Sequence, residues 1–104
     1  MQVTLESWLP WYGSDSTLKG FFDISMNGVL RVNRIELHEI DGRYRVRMPG
    51  YRSNGVADQY VHFLTDADQA AFNDQMVKLT RPLIGQPPYK NQKQARSFHD
   101  PDWK

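Results

Sequence analysis

The chain has 104 residues, enough for one small domain, and its 39% apolar and 24% charged residues indicate a globular protein. It contains no cysteine, which excludes disulfides, a thiolate nucleophile and a cysteine-ligated zinc site. The net charge is only +1, and the sequence has neither a run of about 18 apolar residues nor the layout of a signal peptide. We therefore expect a soluble cytoplasmic protein with no membrane partner.

Alternating apolar residues predict antiparallel strands in the first half of the chain. The first strand covers residues 3–8, and Pro10 ends it because proline cannot donate to a sheet ladder. Asn27-Gly28 is a strong signal for a two-residue hairpin turn. Strands at 18–26 and 29–40 should therefore pair with each other.

The third strand changes parity along its length. Leu30 and Val32 point one way in a regular strand, whereas Ile35 and Leu37 point the other way. An extra residue in the strand restores a common side. We therefore predict a bulge near Asn33-Arg34 that keeps all four apolar side chains on the core face.

A second two-residue turn, Asp41-Gly42, leads into a strand at 43–48 with strict period-2 alternation. If the turn is type I′, Leu37 faces Val46 and Glu36 faces Arg47. One face of the sheet then carries Ile35, Leu37, Tyr44, Val46 and Met48, and the other carries Glu36, His38, Arg43, Arg45 and Arg47.

After a loop at 50–58 and a short strand at 60–64, the period becomes helical. Thr65, followed by Asp68, predicts a capped helix start, and Pro82 should end or kink the helix. The apolar positions of the helix are Phe72, Met76, Leu79 and Leu83.

These elements predict an α+β fold, in which a small twisted antiparallel sheet of four or five strands carries one main C-terminal helix on one face. Periodicity is lost from Gly85 onward. We therefore expect a single domain at 1–84 and a flexible basic and aromatic tail at 85–104.

No motif for nucleotide hydrolysis, dinucleotide binding, zinc proteolysis or serine hydrolysis occurs in the chain. His38, His62 and His99 are too scattered for a local metal site, and the aspartates near residue 66 suit helix capping. We expect a protein that is not an enzyme and has no metal, cofactor or small-molecule substrate.

Arg43, Arg45 and Arg47 form the most suggestive local pattern, because three guanidinium groups along one exposed face can follow a phosphate backbone. Arg31, Arg34 and Arg52 would extend this positive strip beyond a single strand. The alternative interpretation is an ordinary polar sheet face on which Glu36 neutralises Arg47.

An aromatic cluster and the tail offer further candidate contacts. Trp8, Trp11 and Tyr12 suit either the core or a subunit interface, and alternatively they could stack on bases. The basic tail residues resemble a mobile arm that orders on a polyanion, although a tail that only aids solubility is the other interpretation. These tail residues are Lys90, Lys93 and Arg96.

An ordered set of short motifs resembles the stage V sporulation protein G (SpoVG) family of septation regulators. The set spans residues 1 to about 80 in the family's order. Its members are Met1-x-Val3-Thr4, Asp23-Ile24-Ser25-Met26, Leu30-x-Val32-x-x-Ile35-x-Leu37 and Val46-x-Met48-Pro49-x-x-Arg52.

The resemblance implies a homodimeric, non-enzymatic regulator of the bacterial cytoplasm that binds DNA or RNA. It also implies that Arg52, which follows Met48-Pro49, contacts phosphate. Two positions depart from the family: Tyr51 stands where a lysine is common, and the helix start is acidic. The stretch at 8–12 and the tail after Gly85 are also unusual for the family, and they suggest a divergent relative of the kind that a phage or plasmid carries.

Two functions therefore stand as hypotheses. The first is a homodimeric nucleic-acid-binding protein that uses the basic sheet face, the loop and the tail. The second is a protein-interaction module, an inhibitor or adaptor, that keeps the fold but binds a protein partner through its aromatic loop and an exposed strand edge. The acidic helix start and the low net charge favour the second.

Overall fold

A computed structural model describes residues 1–13, 16–53 and 56–91 (for residues 52, 53, 56 and 57, the backbone only). The described residues form a five-stranded antiparallel sheet in the order β4-β3-β2-β1-β7, a separate β5-β6 hairpin and one α-helix. The predicted α+β class is confirmed. The elements are β1 Val3–Pro10, β2 Leu18–Met26, β3 Leu30–Ile40, β4 Arg43–Arg47, β5 Gly50–Ser53, β6 Val56–Gln59, α1 Asp66–Thr80, a 3-10 turn Arg81–Leu83 and β7 Tyr89–Lys90.

Both predicted two-residue turns are confirmed. Asn27 and Gly28 have φ angles of 54° and 67°, and Asp41 and Gly42 have 52° and 79°. Positive φ at both central residues is the mark of a type I′ turn, which matches the twist of paired strands. The turns fix the antiparallel pairing of β2 with β3 and of β3 with β4.

The predicted bulge in β3 is confirmed, with Arg34 at a φ of 60°. The register changes between the pairs Ile24–Val32 and Phe22–Ile35, so β3 holds one extra residue there. Leu30 was predicted wrongly as a core residue. It closes the hairpin at the end of the sheet, where it is 56% exposed.

The core lies between the sheet and α1, with a further contribution from Met48. Thr65 caps the helix, because its hydroxyl accepts a 3.1 Å hydrogen bond from the Asp68 amide. The helix ends at Thr80, and Pro82 lies in the 3-10 turn, as predicted. The buried apolar side chains are Trp8, Phe22, Ile24, Val32, Ile35, Leu37, Met48, Phe72 and Met76.

Two segments differ from the prediction. The loop expected at 50–58 is instead the β5-β6 hairpin, and the strand expected at 60–64 is an irregular connection, in which Leu64 is fully exposed. Tyr89 and Lys90 join the sheet as β7, beyond the boundary predicted at residue 84. Within the described ranges, no helix is long and apolar enough to cross a bilayer.

Candidate functional site

The arginine ladder of β4 lies on the sheet face opposite α1. Strand side chains alternate between faces, so Tyr44 and Val46 pack towards the core while the arginines point the other way. The predicted register is confirmed: Arg45 pairs with His38, and Arg47 pairs with Glu36. We call this side of β3 and β4 the arginine face (Glu36, His38, Arg43, Arg45 and Arg47). Arg45 also borders a groove whose other wall is α1.

No carboxylate of the described residues lies within ion-pair distance of Arg43, Arg45 or Arg47. Glu36, the expected partner of Arg47, instead accepts a 2.7 Å hydrogen bond from His38 Nε2. Arg47 Nη2 makes only a long 3.4 Å bond, to the Tyr51 carbonyl. The three arginines of the ladder therefore make no ion pair with a described carboxylate. Asp66 and Asp74 nevertheless line the same groove as Arg45.

A polar cleft adjoins the arginine face where β5 and the chain before β2 border it. Its volume is about 490 Å³. One wall is held by two hydrogen bonds of the His38 imidazole. Nδ1 is hydrogen-bonded to the Thr17 hydroxyl at 2.8 Å, and Nε2 donates to the Glu36 carboxylate at 2.7 Å. The lining residues are Ser16, Thr17, Leu18, Glu36, His38, Arg47, Gly50 and Tyr51.

Tyr51, which lines this cleft, forms an exposed aromatic pair with Tyr60 that the sequence analysis missed. The two rings stack with centroids 5.6 Å apart and planes 30° apart. They are 47% and 70% exposed. Asn54-Gly55 is a sequence signal for a hairpin that could have indicated the pair. In the observed register Tyr51 pairs with Asp58, which puts Tyr51 and Tyr60 diagonally on one side of the hairpin.

Arg34 lies in the β3 bulge rather than on β4, beside Phe21, which pairs with Glu36 of the arginine face. Its guanidinium stands 5.0 Å over the Phe21 ring, and its amide donates a 2.8 Å bond to Asp23. Phe21 also meets the Trp11 ring edge-on at 6.3 Å. Arg34 and Trp11 therefore form one basic and aromatic cluster around Phe21.

The aromatic residues predicted for an interface or for stacking divide in two. Trp8 is only 1% exposed and belongs to the core, so the assignment of Trp8 to an interface or to base stacking is corrected. Its indole occupies the space that a side chain at Gly20 would fill, which explains a glycine inside β2. Trp11 and Tyr12 are exposed and remain available for contact.

Of the tail residues predicted to contact nucleic acid, only Lys90 is among the described residues. Lys90 is exposed on β7, where it pairs with Ser7, and so is not part of a free arm. Lys93, Arg96 and the side chain of Arg52 lie outside the described residues.

A buried polar cluster on the same side of the sheet was also missed. Glu6 is the extra residue of a bulge in β1, and its side chain is fully buried. Its carboxylate accepts hydrogen bonds from Asn91 Nδ2 at 2.7 Å and from the Ser25 hydroxyl at 3.2 Å, and it lies 3.9 Å from Arg31. Glu6 therefore anchors the residue that follows β7.

Among the described residues, no group of three or more histidine, aspartate and glutamate side chains is placed to hold a metal ion. No family model matches the chain, and neither a curated protein nor a solved structure matches it. The SpoVG resemblance thus stays a prediction from the motifs.

Proposed function

We propose that the protein is a SpoVG-like regulator of the bacterial cytoplasm that binds DNA or RNA through the arginine face and acts as a homodimer. The observation that carries this proposal is a row of three arginines, none of which forms an ion pair with a described carboxylate. Arg43 and Arg45 are exposed, and no described carboxylate pairs with them. Polyanions bind such rows because each phosphate contact releases condensed counterions.

The homodimer has a candidate surface at the end of β1. Leu9, Trp11 and Tyr12 are all exposed, although large apolar side chains favour burial. Aromatic residues of this kind dominate subunit interfaces. A second copy that covers these side chains would also double the number of arginine faces on one particle.

A fluorescence-anisotropy titration tests nucleic-acid binding. Labelled single-stranded and duplex oligonucleotides of mixed sequence are titrated with the wild type, R43Q/R45Q/R47Q and the matched control K78Q. Glutamine keeps most of the arginine stem and removes the charge, and Lys78 is an exposed helix residue. At about 50 mM salt, we expect the triple variant to lose on the order of 100-fold in affinity, and K78Q to stay within about twofold of wild type.

Two outcomes would overturn the proposal. One is a wild-type protein that binds no oligonucleotide at low salt, and the other is a triple variant that binds as tightly as the wild type. Circular dichroism melts of the three proteins show whether any loss comes from unfolding.

The second function, a protein-interaction module, is favoured by a different surface. Leu64 and Val61 are exposed beside the acidic start of α1, where Asp66 and Asp68 would repel phosphate. A partner with apolar and basic side chains would complement this surface. If the wild type binds no oligonucleotide at low salt, this function is the one that remains.

A further inference from the structure

We propose that the cleft beside Tyr51 holds an unpaired nucleotide, with its base stacked on the Tyr51–Tyr60 pair and its phosphate on Arg47 and Arg45. The ligand would then be a single strand rather than a duplex. This inference rests on the proposed nucleic-acid binding and narrows the class of ligand.

The stacking surface is the first step of the argument. Two tyrosine rings lie against each other at 5.6 Å, yet they remain 47% and 70% exposed instead of packing into the core. Bases stack on such rings regardless of sequence, because every base has a π-face. In a duplex those faces are covered by neighbouring bases, so only an unpaired base can use this surface fully.

The position of the arginines beside the rings is the second step. Arg47 bonds to the Tyr51 carbonyl through one nitrogen, and a guanidinium has further donors that stay free for phosphate. Arg45 is the next residue on the same side of β4, about 7 Å along the strand. A strand whose base lies on the tyrosines can therefore continue with its phosphates along the ladder.

The cleft between these groups is the third step. Its volume of about 490 Å³ lies within the range of roughly 300–1,000 Å³ that small-molecule sites occupy. Its inner wall carries the Thr17 hydroxyl and the Glu36 carboxylate, both held by His38. A carboxylate suits the amino groups of a base edge and repels phosphate, which favours the base inside and the phosphate on the arginine side.

The experiment compares four ligands of about 12 nucleotides. Three share one sequence: single-stranded DNA, single-stranded RNA and duplex DNA. The fourth is an abasic DNA strand of the same length that keeps every phosphate. The variants are Y51A/Y60A, which removes both rings, and Y51F/Y60F, which keeps them. The matched control is Y89A, because Tyr89 is 46% exposed and lies at the opposite edge of the sheet. Thermal melts identify any variant that does not fold.

We expect the wild type to bind one or both single strands at least about 10-fold more tightly than the duplex and the abasic strand. Y51A/Y60A should bind single strands about 10-fold more weakly than the wild type does. Y51F/Y60F and Y89A should bind them with wild-type affinity. If the wild type binds all four ligands equally and the arginine triple variant binds none, nucleic-acid binding stands and the unpaired-nucleotide site is wrong. If Y51A/Y60A keeps full single-strand affinity, the stacking role is wrong. Absence of binding to every ligand overturns both proposals.

Discussion

Replacement of Glu6 by alanine should destabilise the fold strongly, because its carboxylate is fully buried. The substitution deprives Asn91 Nδ2 and the Ser25 hydroxyl of their acceptor. Hydrogen bonds to a charged group contribute about 1.5–3 kcal/mol each. Arg31 retains its ion pair with Asp23 at 3.3 Å and its hydrogen bond to Asn33 at 2.7 Å. The substitution therefore does not leave the Arg31 charge buried without a partner. We expect the free energy of unfolding to fall by about 3 kcal/mol, near the lower limit for removing one partner of a buried ion pair.

Urea unfolding followed by tryptophan fluorescence measures this loss. With a slope of about 1.5 kcal/mol per M, a loss of 3 kcal/mol lowers the midpoint by about 2 M. Glu6→Gln retains one acceptor and should lose about half as much. Thr4→Ala is the control, because Thr4 is an exposed residue of the same strand. A midpoint for Glu6→Ala that matches the Thr4→Ala midpoint would refute this account of the cluster.

Two further predictions concern the edges of the sheet and the assembly. Asn73→Ala removes the side-chain oxygen that accepts a 2.9 Å bond from the Val46 amide on the outer edge of β4. We expect the free energy of unfolding in urea to fall by about 1 kcal/mol. We also expect more self-association in light scattering than for the wild type, because a freed strand edge pairs with other chains. Equal scattering would contradict this role of Asn73. For the wild type, light scattering at micromolar concentration should give the mass of two chains, and Trp11→Ser with Tyr12→Ser should give one. A wild-type mass of one chain would overturn the homodimer.

The sheet could be predicted because its signals are local. Asn27-Gly28 and Asp41-Gly42 each specify a turn that needs positive φ, and the turns then fix every pairing from β2 to β4. The bulge at Arg34 followed from a parity conflict alone. The arginine face could be predicted for the same reason, because the register of a strand decides which of its side chains share a face.

The remaining features depend on contacts that are distant in sequence. β7 pairs with β1 across about eighty residues, and two paired residues carry no periodicity to detect. From the sequence, Glu6 is indistinguishable from an exposed strand glutamate, because its partner Asn91 lies far along the chain. Trp8 could be read as interface or core, because only the neighbouring Gly20 decides where the indole fits. The 60–64 segment has the composition of a strand, but no described strand pairs with it.

The edge of β4 bears on the hypothesis that a protein partner binds an exposed strand edge. Val46 and Met48 would offer their amides to an incoming strand, but Asn73 and Gln59 side chains already accept from them. A partner that binds by adding a strand at this edge must displace both side chains. The occupied amides therefore count against this edge as a site of strand addition.

The salt dependence of binding tests the central claim most directly. The affinities of the wild type and of R43Q/R45Q/R47Q for one single-stranded oligonucleotide are measured across a series of salt concentrations. Each phosphate contact contributes about 0.7 to the slope of log affinity against log salt, so loss of three contacts should flatten the slope by about 2. Two parallel lines would show that Arg43, Arg45 and Arg47 do not contact phosphate, and would contradict the account.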